Sequence, residues 1–191
     1  MKAIKTSNLI AGEERAHLLP GTADAFRTMC RGIGSTIALV ATEHKGQRHL
    51  MVATSTCSVS FDPPSLLICV NTTASAYKAV LARKAFSLAI LPASADKIGR
   101  HVAQIPAEQR FARGNWSALE DVDPELDGLP WLSDAQATAF CEVDQKFDYG
   151  THSVFIGRVS LLMVEPESPD PLMYCQGQFG RFEPVLETVG A

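Results

Sequence analysis

The hydrophobic positions of this chain fall mainly into short runs and alternations, not long stripes of helical period, which predicts a fold built mostly of strands. Residues 35–42 (Ser-Thr-Ile-Ala-Leu-Val-Ala-Thr) are rich in β formers. They reach the polar turn Glu43-His44-Lys45-Gly46-Gln47 and return over 49–54, and a glycine between two such runs predicts a hairpin. Asp62-Pro63-Pro64 punctuates the chain before Leu66-Leu67-Ile68-Cys69-Val70, an apolar run of buried-strand length. Residues 86–91 predict a further strand. Two long strands follow over 138–147 and 152–164, joined by Asp148-Tyr149-Gly150-Thr151, then short strands around Met173-Tyr174 and over 179–182. Helical spacing is confined to three segments. The first is capped by Thr22 or Asp24 and carries Phe26, Met29 and Cys30 on one side; the others are 75–84, with Ala76, Val80 and Leu81, and 95–104.

Residues 1–21 read as an irregular arm. Residues 105–134 carry Pro, Gly, Asp and both Trp residues and read as an ordered loop excursion, because linkers seldom carry Trp. Hairpins join most strands, and the helices are too few and too unevenly placed for a doubly wound parallel sheet. The prediction is one mostly β domain over 1–191, an antiparallel barrel or sandwich with peripheral helices.

With 191 residues, 46% of them hydrophobic, the chain can bury roughly two-thirds of its unfolded surface and requires no disulfide or metal staple. A net charge of −4 with no Lys/Arg block argues against nucleic acid or an anionic membrane surface as the main partner. No apolar stretch approaches the ~20 residues of a membrane span, and the N-terminus has no apolar signal-peptide region. The five cysteines (Cys30, Cys57, Cys69, Cys141, Cys175) are scattered and are expected to be buried, reduced thiols in a cytoplasmic protein.

Several motifs fail on context. Gly32-Ile33-Gly34 precedes a strand and lacks the third glycine of a dinucleotide fingerprint. Asp123 to Asp134 has calcium-loop spacing but places Pro130 inside the loop and lacks flanking helices. Asn71-Thr72-Thr73 is a glycosylation sequon with no meaning in a reducing compartment. His44 and His49 flank a hairpin turn without metal-ligand spacing. No H-E-x-x-H, G-x-S-x-G or Walker loop occurs, so hydrolase and NTPase readings have no foothold.

Two segments remain. Five of the seven residues from Thr54 to Ser60 (Thr54, Ser55, Thr56, Ser58, Ser60) carry hydroxyls. They make either a plain Ser/Thr turn or a surface that offers N–H, C=O and short hydroxyls to a polar heterocycle. An isoalloxazine edge alternates acceptors and donors in that way. Residues 71–77 (Asn-Thr-Thr-Ala-Ser-Ala-Tyr) precede a helix, with Ser75 as N-cap, and form either an ordinary cap or a phosphate seat.

Taken in order, residues 50–71 (Leu-Met-Val-Ala-Thr-Ser-Thr-Cys-Ser-Val-Ser-Phe-Asp-Pro-Pro-Ser-Leu-Leu-Ile-Cys-Val-Asn) resemble the small flavin reductases, the NAD(P)H:flavin oxidoreductases that often serve two-component monooxygenases. Ser-Val-Ser-x-Asp-Pro-Pro is the specific part. Phe26-Arg27, Arg110-Phe111 with Trp116, and Gly150-Thr151-His152 with Gly157-Arg158-Val159 extend the likeness over about 26–182. The resemblance implies a split-barrel FMN-binding fold, a homodimer with flavin sites near its interface, and hydride transfer from NADH or NADPH to non-covalently bound FMN or FAD. It assigns the flavin ring and ribityl chain to Ala53, Thr54, Ser55, Thr56, Ser58, Val59 and Ser60. The phosphate goes to Asn71, Ser75, Ala76 and Tyr77, and the nicotinamide to His152. The chain departs from the family in Thr151, where Asp is usual, and in Leu50-Met51-Val52, where Gly-Met-Thr is frequent. Two other classes stay open: a flavin-carrying electron-transfer or storage protein of the same fold, and a split barrel for another cofactor or none.

Overall fold

The computed structural model describes residues 19–165 and 169–184; most of the expected arm over 1–21 lies outside them. Helix α1 (Ala23–Cys30) starts where expected, with the Thr22 hydroxyl accepting from the Ala25 N–H at 3.3 Å. Strands β1 (Ser35–Thr36), β2 (Ala38–His44) and β3 (Gln47–Ala53) follow. The β2–β3 turn is Lys45-Gly46, both at positive φ (54° and 77°), as a two-residue hairpin turn requires.

Next come β4 (Thr56–Phe61), β5 (Pro64–Asn71), α2 (Tyr77–Arg83), β6 (Ala85–Ile90) and α3 (Asp96–Gln104). The excursion contains a short 3-10 helix and the strands β7 (Trp116–Ala118) and β8 (Pro130–Leu132). Two 13-residue strands, β9 (Ala137–Tyr149) and β10 (His152–Val164), precede β11 (Leu172–Cys175) and β12 (Gln178–Arg181).

All strand pairs are antiparallel. The main sheet has the order β3-β2-β6-β9-β10-β5-β4, so β3 and β4 are its two edges although only Thr54 and Ser55 separate them in sequence. Laid flat, those edges would stand six strand spacings apart, about 29 Å. A two-residue link covers three Cα steps, about 11 Å. The sheet must therefore curl until its edges nearly meet, and β3 indeed comes back against β5. No ladder joins β3 to β4. The result is an open antiparallel barrel, in agreement with the mostly β expectation.

Because β2 lies between two layers, residues 38–42 are all buried. Ala38 and Val40 join Ile68, Val70, Phe86, Leu88, Cys141 and Phe155 in the barrel interior. Leu39 and Ala41 face the other way, into a second core with Leu50, Leu91, Val102, Leu132 and Leu172. The excursion is ordered because Leu126 and Leu129 are buried against Ala85 and Phe140, and Arg110 donates to the Leu50 carbonyl at 2.8 Å.

Two expectations, the Ser75 cap and the buried cysteines, need correction. Helix α2 begins at Tyr77 with Ala76 at its N-cap and no side-chain cap bond, so Ser75 is not a cap. The Asn71 carboxamide takes both the N–H (2.9 Å) and the hydroxyl (2.8 Å) of Thr73, an Asx turn that delays the helix. The apolar stripe of α1 is not buried: Phe26 is 61% and Met29 57% exposed. All five cysteines are free, but among them only Cys141 is buried and Cys57 is exposed.

Candidate functional site

The hydroxyl-rich segment begins in the link between the barrel edges and runs into edge strand β4. An edge strand leaves every second N–H and C=O unpaired. Thr54, Ser55 and Thr56 line a cleft of about 920 Å³ whose opposite wall is formed by α1, β1 and the β11–β12 turn. No hydrogen bond among the described residues engages their hydroxyls or the N–H groups of Thr54 and Ser55. A polar heterocycle would meet unsatisfied donors and acceptors there, so this segment fits a flavin ring edge.

The remaining residues assigned to the ring divide differently. Ala53 is buried among the barrel core and can offer only backbone. Ser58 lines two smaller clefts, one beside Thr36 and Ala38 and one walled by Leu66, Leu88, Ile90 and Leu162. Val59 stands at the register shift between Ser58 and Ser60 and is 48% exposed. Ser60 is occupied by the turn: its hydroxyl donates to the Asp62 carbonyl at 2.9 Å and accepts from the Asp62 N–H at 3.1 Å.

The Cys69 N–H donates to the Ser55 carbonyl at 3.0 Å, and Cys69 is two residues from Asn71, the end of β5. The fold thus brings the ring segment and the phosphate segment, about 16 residues apart in sequence, to one end of the barrel. In residues 71–77 most N–H groups are spoken for. Thr72 donates to the Thr151 carbonyl and Ala74 to that of Asn71, while Tyr77 donates to Ala74. The N–H groups of Ser75 and Ala76 have no partner among the described residues, although Ala76 is buried. Two adjacent free donors fit a phosphate oxygen. At Ser75 and Ala76 it is therefore the backbone, and not a capping hydroxyl, that is free to meet an anion.

Tyr77 faces inward instead. Its ring meets Phe155 edge-on, with centroids 6.0 Å apart, and its hydroxyl lies 3.4 Å from Ser153 Oγ. The Lys146 ammonium stands 5.9 Å from the same ring and 2.7 Å from the Asp148 carboxylate, which also accepts from Ser153. The hydrogen bond from Lys146, and then that from Ser153, holds the Asp148 carboxyl below the usual carboxylate range. The same bond raises the Lys146 ammonium. Sequence reading missed this group, because its members come from β9, β10 and α2 and carry no local motif.

His152 pairs with Asn71 across the β5–β10 ladder, so it stands beside the phosphate segment and does not line the cleft at 54–56. Its Nδ1 is 2.9 Å from Thr151 Oγ1. Burial pushes the Cys141 thiol up to about 12 and raises that of Cys69, so neither is a ready nucleophile.

A family model described as "Flavin reductase like domain" matches residues 29–183. The chain belongs to the flavin reductase-like family. Among curated members, it is 34% identical over 150 residues to the FMN reductase (NADH) RutF of Agrobacterium fabrum, covering 78% of this chain and 82% of that protein. It is 31% identical over 170 residues to the reductase component of the FADH(2)-dependent resorcinol hydroxylase of Rhizobium sp., covering 86% and 90%. Among solved structures, the NADH:FAD oxidoreductase SgcE6 of Streptomyces globisporus superposes with a TM-score of 0.79 at 26% identity, covering 89% of this chain and 99% of that one. The same flavin reductase-like protein has been solved in complex with NAD and FAD fragments.

Proposed function

We propose that the chain is an NAD(P)H-dependent flavin reductase that binds FMN or FAD non-covalently and passes the reduced flavin to a partner monooxygenase. The observation that carries the reading is the Ser55–Cys69 hydrogen bond, which sets the hydroxyl-rich edge against the end of β5 that leads into the free N–H groups of Ser75 and Ala76, in a chain of this family. When bound, flavin supplies the redox chemistry, accepting hydride from the nicotinamide. The protein's part is to orient and desolvate. The backbone of residues 53–56 and the hydroxyls of Thr54, Ser55 and Thr56 hold the ring edge, and the N–H groups of Ser75 and Ala76 hold the phosphate. His152, next to Asn71, serves the nicotinamide nucleotide. FMN and NADH head the candidates because the curated relatives carry those names; FAD and NADPH are the alternatives.

A second copy of the chain completes the molecule in this reading. Leu66, Leu88, Ile90, Ala139, Val159 and Leu162 line an apolar groove of about 290 Å³, and Phe61 beside it is 90% exposed. Surfaces of this kind are covered in stable assemblies. An oxygenase partner is supported by the relative that is a hydroxylase's reductase component. No described helix is long and apolar enough to cross a membrane, and cytoplasmic residence goes with the proposed role. The test is the absorbance of the purified protein with added FMN or FAD, before and after NADH or NADPH. Bleaching of the flavin band at a rate proportional to protein supports the reading. Flavin binding without donor-dependent bleaching leaves only a carrier.

A further inference from the structure

The cleft at 54–56 has a second wall to which no ligand has been assigned above. Arg27 and Arg31 line it, and among the described residues no carboxylate does. The wall is held in place: the Gln176 N–H donates to the Arg31 carbonyl at 2.8 Å and Cys175 Sγ approaches that carbonyl at 3.6 Å. Gln176 and Gly177 form a two-residue turn at positive φ (52° and 79°) that closes the cleft beside them. Arg27 also pairs with Asp24, but a guanidinium has five N–H donors and keeps several for a ligand.

Two guanidinium groups at the edge of a polar cleft match phosphate oxygens in charge and in fork geometry. The flavin phosphate already has residues 71–77, at the other end of the 54–56 segment. Hydride transfer requires the nicotinamide to stack on the ring held at 54–56, which brings the donor's own phosphates into the same cleft. We propose that Arg27 and Arg31 form the subsite for the phosphate groups of the reduced nicotinamide dinucleotide. This rests on the reductase reading above.

The experiment compares NADH, NADPH and the phosphate-free donor N-benzyl-1,4-dihydronicotinamide on the full chain with saturating FMN. The wild type is set against the double variant Arg27→Gln/Arg31→Gln and the single variant Arg31→Lys. Helix α1 buries none of its residues and Arg31, just after it, is exposed, so the substitutions leave the packing intact. The ratio of kcat/KM for a dinucleotide to that for the phosphate-free donor is expected to fall about 10- to 100-fold in the double variant, and far less in Arg31→Lys. An equal fall for NADH and NADPH assigns the diphosphate; a fall confined to NADPH assigns the 2′-phosphate. An unchanged ratio with both dinucleotides overturns the subsite. So does a matching loss of FMN affinity in equilibrium dialysis. A wild type that binds FMN but oxidises no donor removes the reductase reading and the subsite with it, a result distinct from an unchanged ratio in an active enzyme.

Discussion

Gly157 offers a direct measure of how tightly the barrel is closed. It lies in β10 opposite Val143, at a register shift, and a Cβ there would stand 2.7 Å from Phe86 Cζ and 2.9 Å from Cys141 Cβ. Phe86 and Cys141 are fully buried and face each other across β6 and β9, so the ring has nowhere to swing. Gly157→Ala therefore overpacks the interior, at a cost of about 1–3 kcal/mol. Reduced freedom of the unfolded chain offsets about 0.4–1 kcal/mol of this. The net loss is about 2.6 kcal/mol at most, which at this chain length lowers Tm by up to roughly 10 °C. Shortening the ring relieves the clash, so Phe86→Leu/Gly157→Ala is expected to be more stable than the sum of its single variants by about 1 kcal/mol. Thermal and urea unfolding followed by circular dichroism reads all three. A Gly157→Ala protein more stable than wild type, or strict additivity, would refute the packing argument.

His152→Ala is expected to lower kcat/KM for the dinucleotide about 5- to 150-fold, the loss of one polar contact of roughly 1–3 kcal/mol, with a smaller change in flavin Kd. Steady-state kinetics and dialysis on one preparation check it, and a loss confined to flavin affinity reassigns His152 to the neighbouring phosphate segment. Asp148 has a folded pKa below its unfolded one, so its contribution is present above the unfolded value and is lost as pH falls through the folded value. The Tm difference between wild type and Asp148→Asn is accordingly expected at neutral pH and should vanish in acid; a gap that widens on acidification contradicts the assignment. Native protein is expected to react with a thiol reagent at exposed Cys57 before Cys141, which should label only on unfolding; mass spectrometry of the labelled peptides decides the order.

Much of the architecture is local and was legible. Short apolar runs, Gly46 in a tight turn and the long pair over 137–149 and 152–164 specify strands and hairpins, because a strand's alternation and a turn's φ demands act between near neighbours. The unusual chemistry of residues 54–60 was also visible, since five hydroxyls in seven residues need no fold to be counted. The cap at Ser75 was misread for an equally local reason: two side chains, Asn71 and Ser75, compete to organise the same turn, and composition does not say which acts.

What only the tertiary structure decided depends on residues distant in sequence. Curling the sheet until β3 and β4 are joined by Thr54 and Ser55 places those residues over Cys69 and beside Asn71. Alternation alone cannot reveal that closure, because either order of strands buries the same faces. Curvature also separates the hydroxyls by role, leaving Thr54, Ser55 and Thr56 facing a cleft while Ser60 closes the Asp62 turn. The same closure brings α1 and the β11–β12 turn across from residues 54–56, giving Arg27 and Arg31 a setting that solvent-exposed arginines in a sequence do not announce. Burial of Cys141 and exposure of Cys57 follow from which face of the barrel each strand presents, a property of the assembled sheet and of no segment within it.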